Sequence, residues 1–358
     1  MQEESHKPKV GISVGDLGGI GCEVILKTFQ DSRMLDFCTP VIFASGKTLS
    51  HHMQQLDLQL KFQGVQDAAS AIDGRINVVN IWKDHPLVPE GKATAEGGTY
   101  AIKSLRAAVK ALREGDVDVL VTAPINKKNV QNKDFQFPGH TDYLAQELGG
   151  ESLMFMVTDS LKVGLLTDHV PVREAPELIT QKRITAKLKA MEESLIRDFA
   201  IRKPRIAVLG INPHSGDEGV IGKEDDEVLK PALKKLIDAG HLVFGPYAAD
   251  TFFASDNYRN FDAVLAAYHD QGLIPFKTLS FGKGVNFTAG LSRIRTSPDH
   301  GTAYDIAGKG MADSSSFTEA VFSALEIFRN RTEYEGLTKN PLQKVRLKRN
   351  TKGKNREK

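Results

Sequence analysis

Short apolar runs alternate with amphipathic stretches along most of the chain. Residues 9–15 (KVGISVG), 40–45 (PVIFAS), 76–81 (INVVNI), 117–124 (VDVLVTAP) and 152–158 (SLMFMVT) each read as a strand. So do 162–170 (KVGLLTDHV), 205–214 (RIAVLGINPH), 242–246 (LVFGP), 262–270 (DAVLAAYHD) and 285–291 (VNFTAGL). Between them, the helical period predicts helices over 19–29, 97–115, 181–199 and 224–239, and near 140–149, 301–309 and 316–330. Continuously apolar strands separated by helices predict an α/β protein with a mainly parallel sheet buried on both faces. The 358 residues suffice for two domains, yet no Pro/Gly/Ser linker marks a boundary. The chain is therefore expected to cross between domains within ordered structure.

Three of the strand-like runs end alike. KVGLLTDH closes on His169, RIAVLGINPH on His214, and AVLAAYHD on His269. Ligands of open parallel sheets bind at the carboxyl ends of strands. Three neutral imidazoles converging there would hold a divalent metal with positions open for substrate. Asp168, Asn212 and Asp270 stand beside them and would orient the rings. Taken singly, each histidine could equally be no more than a polar strand end.

Two other stretches suit anions. FQFPGHTDYLAQEL (135–148) puts His140 and Thr141 at a helix start, where free N–H groups attract negative charge, although Thr141 could simply cap that helix. Residues 277–308 mix Lys277, Lys283, Arg293 and Arg295 with repeated glycines, a loop suited to phosphate or carboxylate. GDLGGIGCE (15–23) would form a ligand-facing turn but matches neither GxGxxG nor GxxxxGK[ST].

Composition narrows the classes. The two cysteines, Cys22 and Cys38, form no CxxC pair, which excludes a disulfide scaffold and a thiolate zinc site. The net charge of +2 hides a basic end: residues 343–358 carry eight Lys/Arg against one Glu. That tail has no aromatic residue to stack on bases and no apolar face, so it is expected to be a solvated, disordered terminus rather than a nucleic-acid site. The polar N-terminus and the lack of any apolar run near ~20 residues predict a cytoplasmic chain with no membrane contact.

From about residue 9 to residue 330 the chain resembles the 4-hydroxythreonine-4-phosphate dehydrogenase family, the oxidative decarboxylases of vitamin B6 synthesis. The resemblance rests on GDLGGIGCE, VTAPINK, PGHTDYLA, TDHVPV, NPHSGDEG, GPYAADTFF, YHDQGLIPFK, GVNFTAGL and RTSPDHGTAYDIAG, in the family's order. It implies two α/β/α domains with a cleft between them, like the isocitrate and isopropylmalate dehydrogenases and not a Rossmann fold. The first domain would comprise residues 1–128 plus 275–342, on the nucleotide side. The second, 129–274, would carry the metal ligands and the dimer interface, with 343–358 as the tail.

The resemblance also implies roles. His169, His214 and His269 match the metal ligands, one of them supplied across a homodimer interface, for Zn²⁺, Co²⁺, Mn²⁺ or Mg²⁺. His140, Thr141, Lys277, Asn286 and Arg295 match the substrate-binding positions. DHGTAYDIAGKGMAD (299–313) is similar to the segment those dehydrogenases place against the adenosine of NAD, which points to His300, Gly301, Thr302 and Asp305 and leaves NADP open. Asp250, Asp270 and Lys277 are candidates for proton transfer, Asp250 with a helix cap as its competing role. In the first motif Leu17, Gly18 and Cys22 stand where the family usually has Pro, Ala and Pro, so a less rigid loop is expected. The implied reaction is NAD- and metal-dependent oxidation and decarboxylation of a phosphorylated hydroxythreonine. Alternatives are oxidation of D-threonate or D-erythronate 4-phosphate, acyl transfer to phosphate, and metabolite binding without catalysis.

Overall fold

The computed structural model describes residues 7–83, 86–131, 135–137 and 139–342; the basic tail, 343–358, lies outside them. In chain order the strands are β1 (Lys9–Ser13), β2 (Thr39–Ala44), β3 (Phe62–Val65), β4 (Ile76–Asn80), β5 (Val119–Thr122) and β6 (Gly150–Val157). There follow β7 (Lys162–Leu165), β8 (Ile206–Leu209), β9 (Val243–Tyr247), β10 (Ala263–Ala266), β11 (Val285–Leu291) and β12 (Ile294–Pro298). Among the described residues they join into one sheet of order β3-β4-β2-β1-β5-β12-β11-β6-β7-β10-β8-β9.

Every pair from β3 to β12 is parallel, and every pair from β7 to β9. The three central junctions, β12 with β11, β11 with β6 and β6 with β7, are antiparallel. Three reversals leave the two parallel blocks running in opposite directions. β2, β5, β8 and β10 are buried along their whole length, as a sheet covered on both faces requires.

The covering helices follow their sequence signals. Helix Ala95–Glu114 starts where Thr94 Oγ1 accepts from Gly97 N (3.0 Å) and stops at Gly115, with φ +85°. Its apolar stripe of Ala101, Leu105, Ala108 and Leu112 faces the sheet and is buried. Helix Ser315–Thr338 fixes the sheet's centre. Arg331 Nε donates to the buried Asp198 (2.9 Å), while Nη1 donates to Ser292 O (3.3 Å) in the turn between β11 and β12.

Several expectations are corrected. The run at 262–270 is a strand only to Ala266, because His269 opens helix His269–Ser280 and Lys277 lies on that same helix. Beyond the strand expected at 285–291, which is β11, the expected loop 277–308 contains β12. No helix forms near 301–309, where Ala303, Gly308 and Gly310 have φ of +42°, +73° and +68°.

Candidate active site

The antiparallel centre of the sheet floors a cavity of about 280 Å³. Pairing sets Met156 of β6, Asn286 of β11 and Ser297 of β12 in one cross-strand row. Two residues along, on the same face, come Met154 and Arg295. His269, Leu273 and Lys277, at i, i+4 and i+8 of one helix, line a wall together. Opposite elements bring Lys127, the start of helix His140–Leu148 with Thr141, His169, and His300 with Gly301.

Positive charge here is poorly compensated. Arg295 is 2% exposed, and among the described residues its guanidinium donates only to hydroxyls. Nη2 and Nε reach Thr122 Oγ1 at 2.6 and 3.0 Å, and Nη1 reaches Thr288 Oγ1 at 3.1 Å. Burial pulls its pKa down to about 9, so it remains charged at neutral pH. His140 is held well below the ordinary histidine range by burial, then by Arg295 and Lys127, and is neutral. Among the described residues its Nε2, Asn286 Oδ1 and His300 Nε2 are buried without a partner, three polar atoms on the lining of one cavity. Such groups carry a desolvation cost that a ligand would relieve.

His169 and His269 stand ring to ring at 5.6 Å between centroids. Burial, then Lys127, lowers the His169 pKa against the opposite pull of Asp168. His269 Nδ1 lies 2.7 Å from Asp270 Oδ1, a carboxylate placed to orient the ring. Lys277 Nζ donates to Asp299 O (2.8 Å), tying its helix to the segment after β12.

Known proteins are similar to this chain over most of its length. The profile of the family described as "Pyridoxal phosphate biosynthetic protein PdxA" matches residues 36–324. The chain belongs to the PdxA family. A 4-hydroxythreonine-4-phosphate dehydrogenase of Bacteroides thetaiotaomicron is 48% identical over 95% of this chain and 94% of its own. Another, from Prosthecochloris aestuarii, is 39% identical over 89% and 97%. The crystal structure of 4-hydroxythreonine-4-phosphate dehydrogenase from Klebsiella pneumoniae has a TM-score of 0.79 at 33% identity, over 91% of this chain and 99% of that one.

Within this PdxA chain, not every expected site residue reaches the cavity. His214 is exposed on the turn Pro213–Gly219 with φ +53° and does not line the cavity. Among the described residues no three His, Cys, Asp or Glu side chains form a metal-holding group. Asp250 is exposed in the first turn of helix Ala249–Ala254, outside the cavity lining, and the cap position there is Ala248. Thr141 is likewise no cap, since Gly139 occupies that position.

Thr302 and Asp305 lie past the cavity's edge. The GDLGGIG turn does not face it either: residues 15–20 are buried beneath the 299–310 segment. Ile20 N donates to Thr302 O (3.0 Å) and the Tyr304 hydroxyl to Asp16 Oδ2 (2.9 Å). Leu17 and Cys22, where the family usually has proline, are packed in the core, so apolar burial supplies order to the loop. Lys127 lines the cavity without having been among the candidates. Its only signal was a place in VTAPINK, where it reads as an ordinary surface lysine. Among the described residues no helix is long and apolar enough to cross a membrane.

Proposed function

We propose that this PdxA-family chain oxidises and decarboxylates 4-phosphooxy-L-threonine with NAD, giving 3-amino-2-oxopropyl phosphate, CO₂ and NADH for pyridoxal 5'-phosphate synthesis. The observation that carries the reading is Arg295, a buried cation without a carboxylate partner among the described residues, facing a cavity of substrate size. Such a cation calls for an anionic ligand.

Arg295 and Lys277 would neutralise the substrate's phosphate and carboxylate. The unpartnered Nε2 of neutral His140 and Oδ1 of Asn286, with the Thr141 hydroxyl, would orient its polar groups. Asp270 would hold the His269 ring. Asp250 would reach a substrate only from a second chain.

The residues present fit a divalent cation: two adjacent imidazoles, His169 with its pKa lowered and His269 aligned by a carboxylate. Zn²⁺, Co²⁺, Mn²⁺ or Mg²⁺ would be held by His169 and His269, with His214 contributed by the other chain of a homodimer. When bound, the ion would supply Lewis acidity toward the ketone during loss of CO₂. The orphaned His300 Nε2 and the open space at Gly301 fit a nucleotide there, with Thr302 and Asp305 further along the segment. NAD⁺, or NADP⁺, would supply the hydride acceptor.

The test measures NADH formation from 4-phosphooxy-L-threonine, D-threonate 4-phosphate and D-erythronate 4-phosphate, with and without added metal. Metal-dependent turnover fastest on the first is expected. A faster rate on either other acid reassigns the substrate, and no NADH from any of them overturns the reaction.

A further inference from the structure

Among the described residues, Lys127 is the cavity cation to which the reading above gives no role. The Asn126 side chain caps the short helix Lys127–Val130, accepting from Lys128 N (3.0 Å) and Asn129 N (3.2 Å). That cap fixes the backbone from which Lys127 extends. The far end of the side chain lies beside Gly139, where a methyl group would meet Lys127 Cε at 3.6 Å. Gly139 begins helix His140–Leu148, and no side chain caps that helix. Its first N–H groups therefore present positive partial charge where the lysine brings a full one.

Like charges crowd one corner. Arg295 adds a third positive group, near enough that it and Lys127 both disfavour a proton on His140. Partial burial lowers the Lys127 pKa against the pull of Asp168 and Asp142, although much of the side chain is exposed. Among the described residues, however, no hydrogen bond or ion pair engages the Lys127 ammonium. An ammonium held against an uncapped helix start is unfavourable in an empty cavity and favourable around a dianion. A phosphate, with about two negative charges and three acceptor oxygens, suits this corner better than a carboxylate. Lys277, its amine on Asp299 O, lies on the wall formed by helix His269–Ser280.

We propose that Lys127 is a substrate-binding residue whose ammonium, with the start of helix His140–Leu148, grips the substrate's phosphate. The inference rests on the phosphorylated substrate proposed above and adds a third cation to Arg295 and Lys277.

Calorimetric titration of inorganic phosphate into the metal- and nucleotide-free protein tests it, using wild type, Lys127→Met and Lys127→Arg with folding checked by circular dichroism. Lys127→Met should bind phosphate about 10-fold more weakly or worse, the usual loss of a hydrogen bond to a charged group. Lys127→Arg should recover most of that loss. In turnover assays the Met variant should raise KM far more than it lowers kcat. Unchanged phosphate affinity in Lys127→Met overturns the proposal, as does a wild type that binds no phosphate at millimolar concentration. If no phosphorylated acid is turned over while phosphate binding responds as described, the assigned reaction falls and the role of Lys127 stands.

Discussion

Arg295 sits on β12 with its charge surrounded by the hydroxyls of Thr122 and Thr288. Hydrogen bonds to a charged group contribute about 1.5–3 kcal/mol each, against a desolvation cost of several kcal/mol for the buried ion. The chain thus maintains this cation at little or no net gain in stability, a pattern expected where binding sets the requirement. Methionine would fill similar space without the charge, leaving two hydroxyls to find other partners. We expect Arg295→Met to weaken binding of the phosphorylated substrate by about 100-fold or more while the melting temperature stays within a few degrees of wild type. Parallel substrate titrations and thermal melts measure the two effects. A large fall in melting temperature with binding retained would make Arg295 a structural residue.

At the scale of elements, the same burial explains what the sequence disclosed and what it concealed. The runs at 40–45 and 117–124 were readable because β2 and β5 are covered on both faces and hence continuously apolar. β3, half-exposed at the sheet's edge, has no such run. β12 was hidden for the opposite reason: Arg295, Thr296 and Ser297 are buried but polar, so a core strand read as a loop. The helix opening at His269 was concealed by Tyr268, which offers no side-chain cap, and by Pro275 inside it. The site's positions were legible as His140, His169, His269, Lys277, Asn286, Arg295, His300 and Gly301, all now on one cavity. Lys127 was not, since nothing local distinguishes a lysine that will face a helix start 12 residues later.

The pair β6 and β11, which floors that cavity, depends on a close backbone approach. Gly290 has φ +80° at the β-bulge between Ala289 and Leu291, and a methyl there would stand 2.1 Å from Glu151 O. Neither side can yield without opening the pair. Gly290→Ala should therefore lower stability by about 2 kcal/mol or more, read from the urea midpoint, with faster amide exchange along β11. An unchanged midpoint would show that the bulge relaxes freely.

At the scale of the whole molecule, the adjacent parallel strands β7 and β10 bring His169 and His269 together but leave His214 exposed on a separate turn. If a second copy supplies His214, two chains disabled at different ligands should rescue one another. In a dimer of His214→Ala with His169→Ala, the first chain retains its own His169 and His269 and receives His214 from the second. The other site lacks both His169 and His214. Random pairing of equal amounts makes about half the dimers mixed, each with one working site of two, so roughly a quarter of wild-type metal content and turnover should return. Each variant alone should show neither. Recovery that stays at zero after verified subunit exchange would place His169 and His214 within one chain, and would require the Pro213–Gly219 turn to close on the cavity instead.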